Sequence, residues 1–258
     1  MRNFADVREA GLEIRRDLFK GPKVASSRVQ QFTELQGLEA HERFGYSYSI
    51  EADGFPPSVD EVVDVGTRLA FPDYQTEAGR DRMRRWLRLE RSDRLIDKPL
   101  AGPNGLTEEL HPRLISTVEG KWPSYRYAER MKGAVEILAI QLLRAPDTRR
   151  AYWPIFWQTD VYRSHAPTRV PCSLGYQFLI RKVNEDLVLY LLYYQRSADF
   201  EHFWLSDVWL AQQFQSFLRI KIINLAGESS PLCSLKMGSF IHFIASFHLF
   251  DDELGEIY

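Results

Sequence analysis

The sequence is poor in cysteine, in unbroken apolar runs and in net charge, and each shortage removes a class of protein. Two cysteines, Cys172 and Cys233, among 258 residues cannot build a disulfide framework, and neither has the spacing of a zinc site. They fit a reducing, cytoplasmic setting. No window holds the roughly 18 uncharged apolar residues that a membrane-spanning helix needs. The opening MRNFADVREAGLEIRRDLF is broken by charge every second or third position, which does not suit a secretion signal. Thirty-three Lys and Arg against 35 Asp and Glu leave a net charge of -2, so the chain as a whole does not attract a polyanion such as duplex DNA. Any phosphate has to be met by a local cluster. Repeats with a period of roughly 20 to 50 residues are missing too, so a solenoid is not expected.

What remains is 45% hydrophobic and 26% charged, enough for one large core. The texture changes near Lys121. Before it, Pro56-Pro57, Pro72, Pro99, Gly102-Pro103-Asn104-Gly105 and Pro112 punctuate a polar stretch; after it come long apolar elements. Ala128 to Arg144 carries Met131, Val135, Leu138 and Leu142 at helical spacing and stops at Ala145-Pro146. Leu174 to Val183 and Leu187 to Tyr194 read as strands joined by a hairpin turn at Asn184-Glu185-Asp186. The second is apolar on both faces, so it belongs deep in a sheet. Phe203 to Ile223 reads as a buried amphipathic helix, and Ser239 to Leu249 as a further strand. Without regular strand–helix alternation, the pattern predicts an α+β fold around one large sheet. The basic run Arg80, Arg82, Arg84, Arg85, Arg88 and Arg91 is interrupted by Asp81 and Glu90, which favours an ion-paired helix face over a nucleic-acid surface.

Chemistry concentrates in Pro171-Cys172-Ser173-Leu174-Gly175-Tyr176-Gln177-Phe178 and Tyr194-Gln195-Arg196-Ser197-Ala198-Asp199. A cysteine at the mouth of a strand becomes a nucleophile if a cation such as Arg196 stabilises its thiolate; without that it is a small core residue. Pro-Cys-x-x-x-x-Gln-Phe, a turn, and then Tyr-Gln-Arg-Ser-x-Asp resembles the core signature of the thymidylate synthase family. Asp147-Thr148-Arg149-Arg150 is similar to that family's double-arginine segment, and Phe247-His248-Leu249-Phe250 to its later His-x-Tyr element. The resemblance runs from about Ala128 to Phe250, and the N-terminal half matches poorly.

The resemblance implies one thymidylate synthase-like domain over 1–258, with a catalytic core at about 121–258 and a divergent part at 1–120. It implies a large mixed β-sheet flanked by helices, and a homodimer packed sheet to sheet. Cys172 would add to C6 of a pyrimidine nucleotide, making C5 a carbon nucleophile towards the methylene group of 5,10-methylenetetrahydrofolate. Arg196 and Ser197 would hold the phosphate with Arg149 and Arg150 of the partner subunit, since guanidinium groups bind phosphate in bidentate fashion. Arg28 would be the flexible phosphate-loop arginine, and Tyr125 an active-site tyrosine. Gln195 belongs to the substrate-binding group, Asp199 to the folate contact and the carbonyl side of the base, and His248 to a ribose hydroxyl. Read alone, Arg149-Arg150 is an exposed helix-end pair and His248 a core histidine.

Eleven residues after Arg196, where thymidylate synthases carry an asparagine matched to uracil, stands Asp207. A protonated carboxyl can donate to N3 of cytosine and accept from its amino group, and aspartate here resembles the deoxycytidylate and cytidylate hydroxymethylases. Ser246, where thymidylate synthases have aspartate, points the same way. Read alone, Asp207 is a solvated residue beside Ser206. The expected activity is folate-dependent C5 hydroxymethylation of CMP or dCMP, with Cys172 and Asp207 catalytic. The alternatives are a divergent thymidylate synthase acting on dUMP and a lapsed homologue that only binds nucleotide. Neither a metal, a membrane nor direct nucleic-acid binding is expected. Four departures stand out: Ser173 and Phe250 replace the family's histidine and tyrosine, the glutamate that the family carries ahead of its Leu-Trp pair is not found around Arg80 to Trp86, and the chain ends soon after Phe250.

Overall fold

Seven strands hydrogen-bond into one mixed sheet in the computed structural model, which describes residues 1–30, 33–95, 127–131, 133–163 and 170–250. In chain order the described segments are β1 (Arg2–Phe4), α1 (Val7–Phe19), β2 (Lys23–Gln30), β3 (Thr33–Ile50), α2 (Val59–Arg68), α3 (Glu77–Leu95), α4 (Tyr127–Arg130) and α5 (Ala134–Arg144). There follow β4 (Tyr152–Pro154), α6 (Gln158–Arg163), β5 (Ser173–Val183), β6 (Asp186–Asp199), a π-type turn at Phe200–Trp204, α7 (Leu205–Ala226) and β7 (Lys236–Phe250). The sheet runs β1-β3-β7-β6-β5-β4, with β2 also paired to β3. β7 is antiparallel to β3 and parallel to β6. Strands from both halves of the sequence therefore share one sheet.

Local chemistry accounts for several boundaries. Asp6 and Ser58 start α1 and α2 by accepting the backbone N–H three residues on, which satisfies a donor that the first helical turn leaves open. Asn184, at φ 54°, makes the β5–β6 hairpin turn, where asparagine tolerates the left-handed conformation better than most residues. The expected helix over Ala128 to Arg144 is instead two, because Gly133 takes φ 76° between α4 and α5. β6 continues five residues beyond Tyr194, to Asp199.

The described helices that touch the sheet do so through one face. Phe214 of α7 meets Tyr176 and Phe178 of β5 edge-on at 5.4 and 5.0 Å. Gln215 donates to the carbonyls of Leu189 and Gly238 at 2.8 and 3.0 Å, tying α7 to β6 and β7. α7 is amphipathic, as its sequence suggests, only in its later turns, where Phe214, Leu218 and Ile222 are buried and Ile220 and Leu225 exposed. Leu205, Ser206, Val208, Trp209, Leu210 and Ala211 are all buried, so its first two turns are enclosed nearly all round. On α3, Arg82 pairs with Asp73, Arg84 with Asp60 and Asp81, and Arg88 with Asp60, giving the ion-paired surface expected. No helix among the described residues is long and apolar enough to cross a membrane.

Period-two alternation breaks within neighbouring strands at the same level. In β6 the buried positions are Leu189, Leu191, Tyr193 and Gln195, then Ala198; in β7 they are Gly238, Phe240, His242 and Ile244, then Phe247 and Leu249, with Phe250 also buried at the strand's end. Pairing stays in step across the break, with Gln195 opposite Ile244 and Ser197 opposite Ser246. Arg196 and Ala245 stand outside the paired register, and beyond them both strands turn over their side chains together, as a bulge in each would do. On β3, Gly45 lies opposite Ala245 with φ 63°, a backbone conformation that glycine adopts without a Cβ penalty.

A buried ion pair holds α4 against the segment that follows β4. The Arg130 guanidinium donates to both carboxylate oxygens of Asp160 and to the Ile155 carbonyl, and lies 4.4 Å from the Trp157 ring centre. Both charged side chains are fully enclosed. Asp160→Ala would leave the guanidinium uncompensated and is expected to cost about 3–5 kcal/mol, read as a lowered urea midpoint. Replacing both partners with apolar residues of similar volume should restore most of that loss; no recovery would mean the pair is more than a packing clamp.

Candidate active site

Cys172 sits in the turn entering β5 and is half-buried. Its backbone N–H and that of Ser173 donate to the Tyr127 hydroxyl at 3.2 and 3.4 Å, and its carbonyl accepts from the Arg196 N–H at 2.9 Å. The Arg196 side chain wraps the same turn. Nε donates to the Pro171 carbonyl at 2.9 Å, and Nη2 reaches the Val170 carbonyl at 3.2 Å and Cys172 Sγ at 3.9 Å. A guanidinium beside the sulfur favours thiolate over thiol. No hydrogen bond from Arg196 Nη1 is formed among the described residues.

Behind this turn, on the helix-covered face, lies a polar cluster. Gln195, 1% exposed, donates from Nε2 to Asp207 Oδ2 at 2.8 Å. Asp207 is half-buried within the otherwise enclosed start of α7, so the solvated reading of it fails. The π-type turn starts at Asp199, whose carboxylate accepts the His202 N–H at 3.3 Å. That turn joins β6 directly to α7, bringing the residue eleven positions after Arg196 back beside Gln195. Burial raises the Tyr127 phenol above its usual range, and the charges of Cys172 and Asp207 add to the shift. Tyr127 therefore stands near both candidate catalytic groups and keeps its proton. Ser173 and Tyr193 share a short hydroxyl contact under the same turn.

Ser197, Asp199, Ser246 and His248 lie beyond the paired bulges. Ser197 faces Ser246 and Asp199 faces His248 across β6 and β7, and His248 faces Glu42 on β3. The Ser246 hydroxyl donates to Glu42, a residue the sequence reading does not single out. His248 is half-buried with its ring 5.0 Å from that of Phe250. The Asp199 carboxylate also lies 3.4 Å from His202 Nδ1.

Arg149 and Arg150 are exposed and belong to a different place on the chain. The Arg149 carbonyl accepts from Gln177 at 2.8 Å, and Gln177 is five residues along β5 from Cys172, roughly 17 Å at strand rise. Together with Asp147, Thr148 and Arg181 they line an open cleft of about 640 Å³. One chain does not bring this pair to its own Cys172. Arg28 falls in β2, opposite Leu35 of β3, with its side chain outside the described residues, as is Tyr125 altogether. The tyrosine found at the cysteine is Tyr127.

No glutamate answers to the missing proton-relay residue by position. Among the described residues Glu201 is the one buried glutamate, and Arg15 holds it at 3.1 Å. Tyr127, Arg130, Asp160 and Glu42 carry no local sequence signal. Their partners lie about 30 to 200 residues away, beyond any spacing rule for a single element. No group of three or more His, Cys, Asp or Glu among the described residues could hold a metal ion. No protein-family model matches the chain, and no curated protein matches it either.

Proposed function

We propose that this protein transfers a one-carbon unit from 5,10-methylenetetrahydrofolate to C5 of a cytosine nucleotide, CMP or dCMP, and releases the 5-hydroxymethyl product. The observation that carries the reading is the meeting of two pairs at one turn: Cys172 with Arg196, and Gln195 with Asp207. The first pair suits nucleophilic attack, because the guanidinium favours the thiolate and one of its edges remains for phosphate. The second suits cytosine, because a carboxyl carrying one proton can donate to N3 and accept from the amino group. Attack by Cys172 on C6 turns C5 into a carbon nucleophile. The folate would supply the methylene carbon that C5 takes up. Loss of the C5 proton then releases tetrahydrofolate from that carbon and leaves an exocyclic methylene; water adds to it, and departure of the Cys172 thiolate from C6 restores the aromatic base.

The reading includes a homodimer and a cytoplasmic setting. The sheet face away from the helices carries Leu179, Tyr190, Leu192, Tyr194, Ile241 and Phe243, all half-buried without a covering layer among the described elements. Such an apolar face fits a second copy. The Arg149 segment is tied to its rim, since Tyr194 bonds to Gln177 at 3.1 Å and Gln177 to Arg149. A nucleophile without the arginine pair and an arginine pair without a nucleophile are complementary halves of such a dimer.

Mass spectrometry of products from separate incubations with methylenetetrahydrofolate and CMP, dCMP or dUMP tests the activity. A gain of one hydroxymethyl group on a cytosine nucleotide is expected. A methyl gain on dUMP would make the protein a divergent thymidylate synthase, and binding without any product would leave a lapsed homologue.

A further inference from the structure

Two buried polar atoms near the Gln195–Asp207 pair, one a donor and one an acceptor, have no hydrogen-bond partner among the described residues: His242 Nε2 and Gln195 Oε1. His242 is fully enclosed, its ring stacked on Tyr193 at 4.7 Å and packed against Phe240. Its tautomer follows from its neighbours. Trp204 Nε1 can only donate, and it donates to the Tyr48 hydroxyl at 2.6 Å. The single Tyr48 proton is then directed at His242 Nδ1, 2.7 Å away. Nδ1 is therefore an acceptor, and burial keeps the imidazole neutral, so the remaining ring proton is on Nε2.

The acceptor stands close by. Gln195 is on the same strand and the same face as Tyr193, two residues on, and Tyr193 pairs with His242. Adjoining strands lie about 4.8 Å apart and two residues advance a strand by about 6.6 Å, so this diagonal is roughly 8 Å between Cα atoms. That is too far for two backbones to force direct contact and suited to one water between the side chains, with the polar partners a buried water needs. The donors then all run one way: Trp204 to Tyr48, Tyr48 to His242, His242 through water to Gln195, and Gln195 to Asp207.

We propose that His242 is a positioning residue for base selection, acting through one buried water that accepts from its Nε2–H and donates to Gln195 Oε1. Held at its acceptor end, the Gln195 amide cannot turn over, and it presents Nε2–H to Asp207. Oδ2 is thereby kept as an acceptor, which fixes how the carboxyl meets the base. The part of this inference that concerns the base rests on the proposed cytosine specificity; the water and the tautomer do not.

Two measurements on the ligand-free protein come first. A high-resolution crystal structure should show a water within hydrogen-bond distance of both atoms, and nitrogen-15 shifts should report His242 protonated at Nε2 alone. An Nδ1-protonated ring, or no water at that place, would overturn the proposal. In turnover, His242→Phe should raise KM for the cytosine nucleotide about tenfold, the scale of one hydrogen bond, with kcat changed far less. His242→Gln, whose amide nitrogen can stand where Nε2 stood, should recover most of the loss. Equal KM values for the two variants would reduce His242 to packing. Should no pyrimidine nucleotide be turned over, the proposed function fails, and the structure and the shifts still decide for or against the chain of hydrogen bonds.

Discussion

Cys172→Ser is expected to lower turnover by on the order of 10⁴-fold or more, the scale seen when an enzyme's nucleophile is removed, while nucleotide affinity changes little. The substitution is nearly isosteric, and what positions the turn does not involve sulfur: Tyr127 accepts the backbone N–H of residue 172, and Arg196 N–H holds its carbonyl. Arg196 also keeps its bonds to the Pro171 and Val170 carbonyls. What is lost is the thiolate, because a serine hydroxyl beside the same guanidinium remains protonated at neutral pH. Single-turnover kinetics and calorimetric nucleotide binding separate the two effects. Undiminished turnover would remove Cys172 from the chemistry; loss of binding in step with turnover would make it a structural residue.

The second large effect concerns which base is accepted. Asp207→Asn keeps an oxygen for the Gln195 Nε2–H and replaces the carboxyl's proton-sharing group with an amide that donates. The variant then matches the carbonyl and N3–H of uracil and mismatches cytosine. Sites built around a specific polar pairing reject the wrong partner by roughly 10⁴-fold, so kcat/KM for cytosine over uracil nucleotides should change by about that order. Competition between dCMP and dUMP, or CMP and UMP, measures it directly. An unaltered ratio would show that the residue beside Gln195 does not read the base, and would take with it the distinction from thymidylate synthesis.

How much of this could be read from the sequence differs from one element to the next. The β5–β6 hairpin was legible because its signals are local: two β-rich runs and an asparagine at the turn. The break at Gly133 was harder, since the apolar spacing continues across it and a single glycine is tolerated in many helices. α7 looked amphipathic because Ser206, Gln213 and Gln215 are polar by type; all three are buried, and Gln215 bonds to two strand carbonyls. In the candidate site, Cys172, Gln195, Arg196 and Asp207 were legible as a pattern, and the structure brings those four together. Arg149 and Arg150 were equally visible and lie elsewhere. Tyr127, Tyr48, Trp204 and His242 were not, because their roles arise from contacts between distant strands and helices. Residue type announces none of them: each reads as one more core aromatic.

The paired bulges at Arg196 and Ala245 couple two stretches of the chain that lie 49 positions apart in the β6–β7 pairing. Dropping one residue from β6 alone would turn Ser197 and Asp199 back to the helix side while Ser246 and His248 stayed where they are. The row that now joins Asp199, His248 and Glu42 would be split between the two faces of the sheet. A change of length in one of these strands would therefore have to be answered in the other to keep that row on one face. With respect to chain length, the two segments form a single mechanical unit.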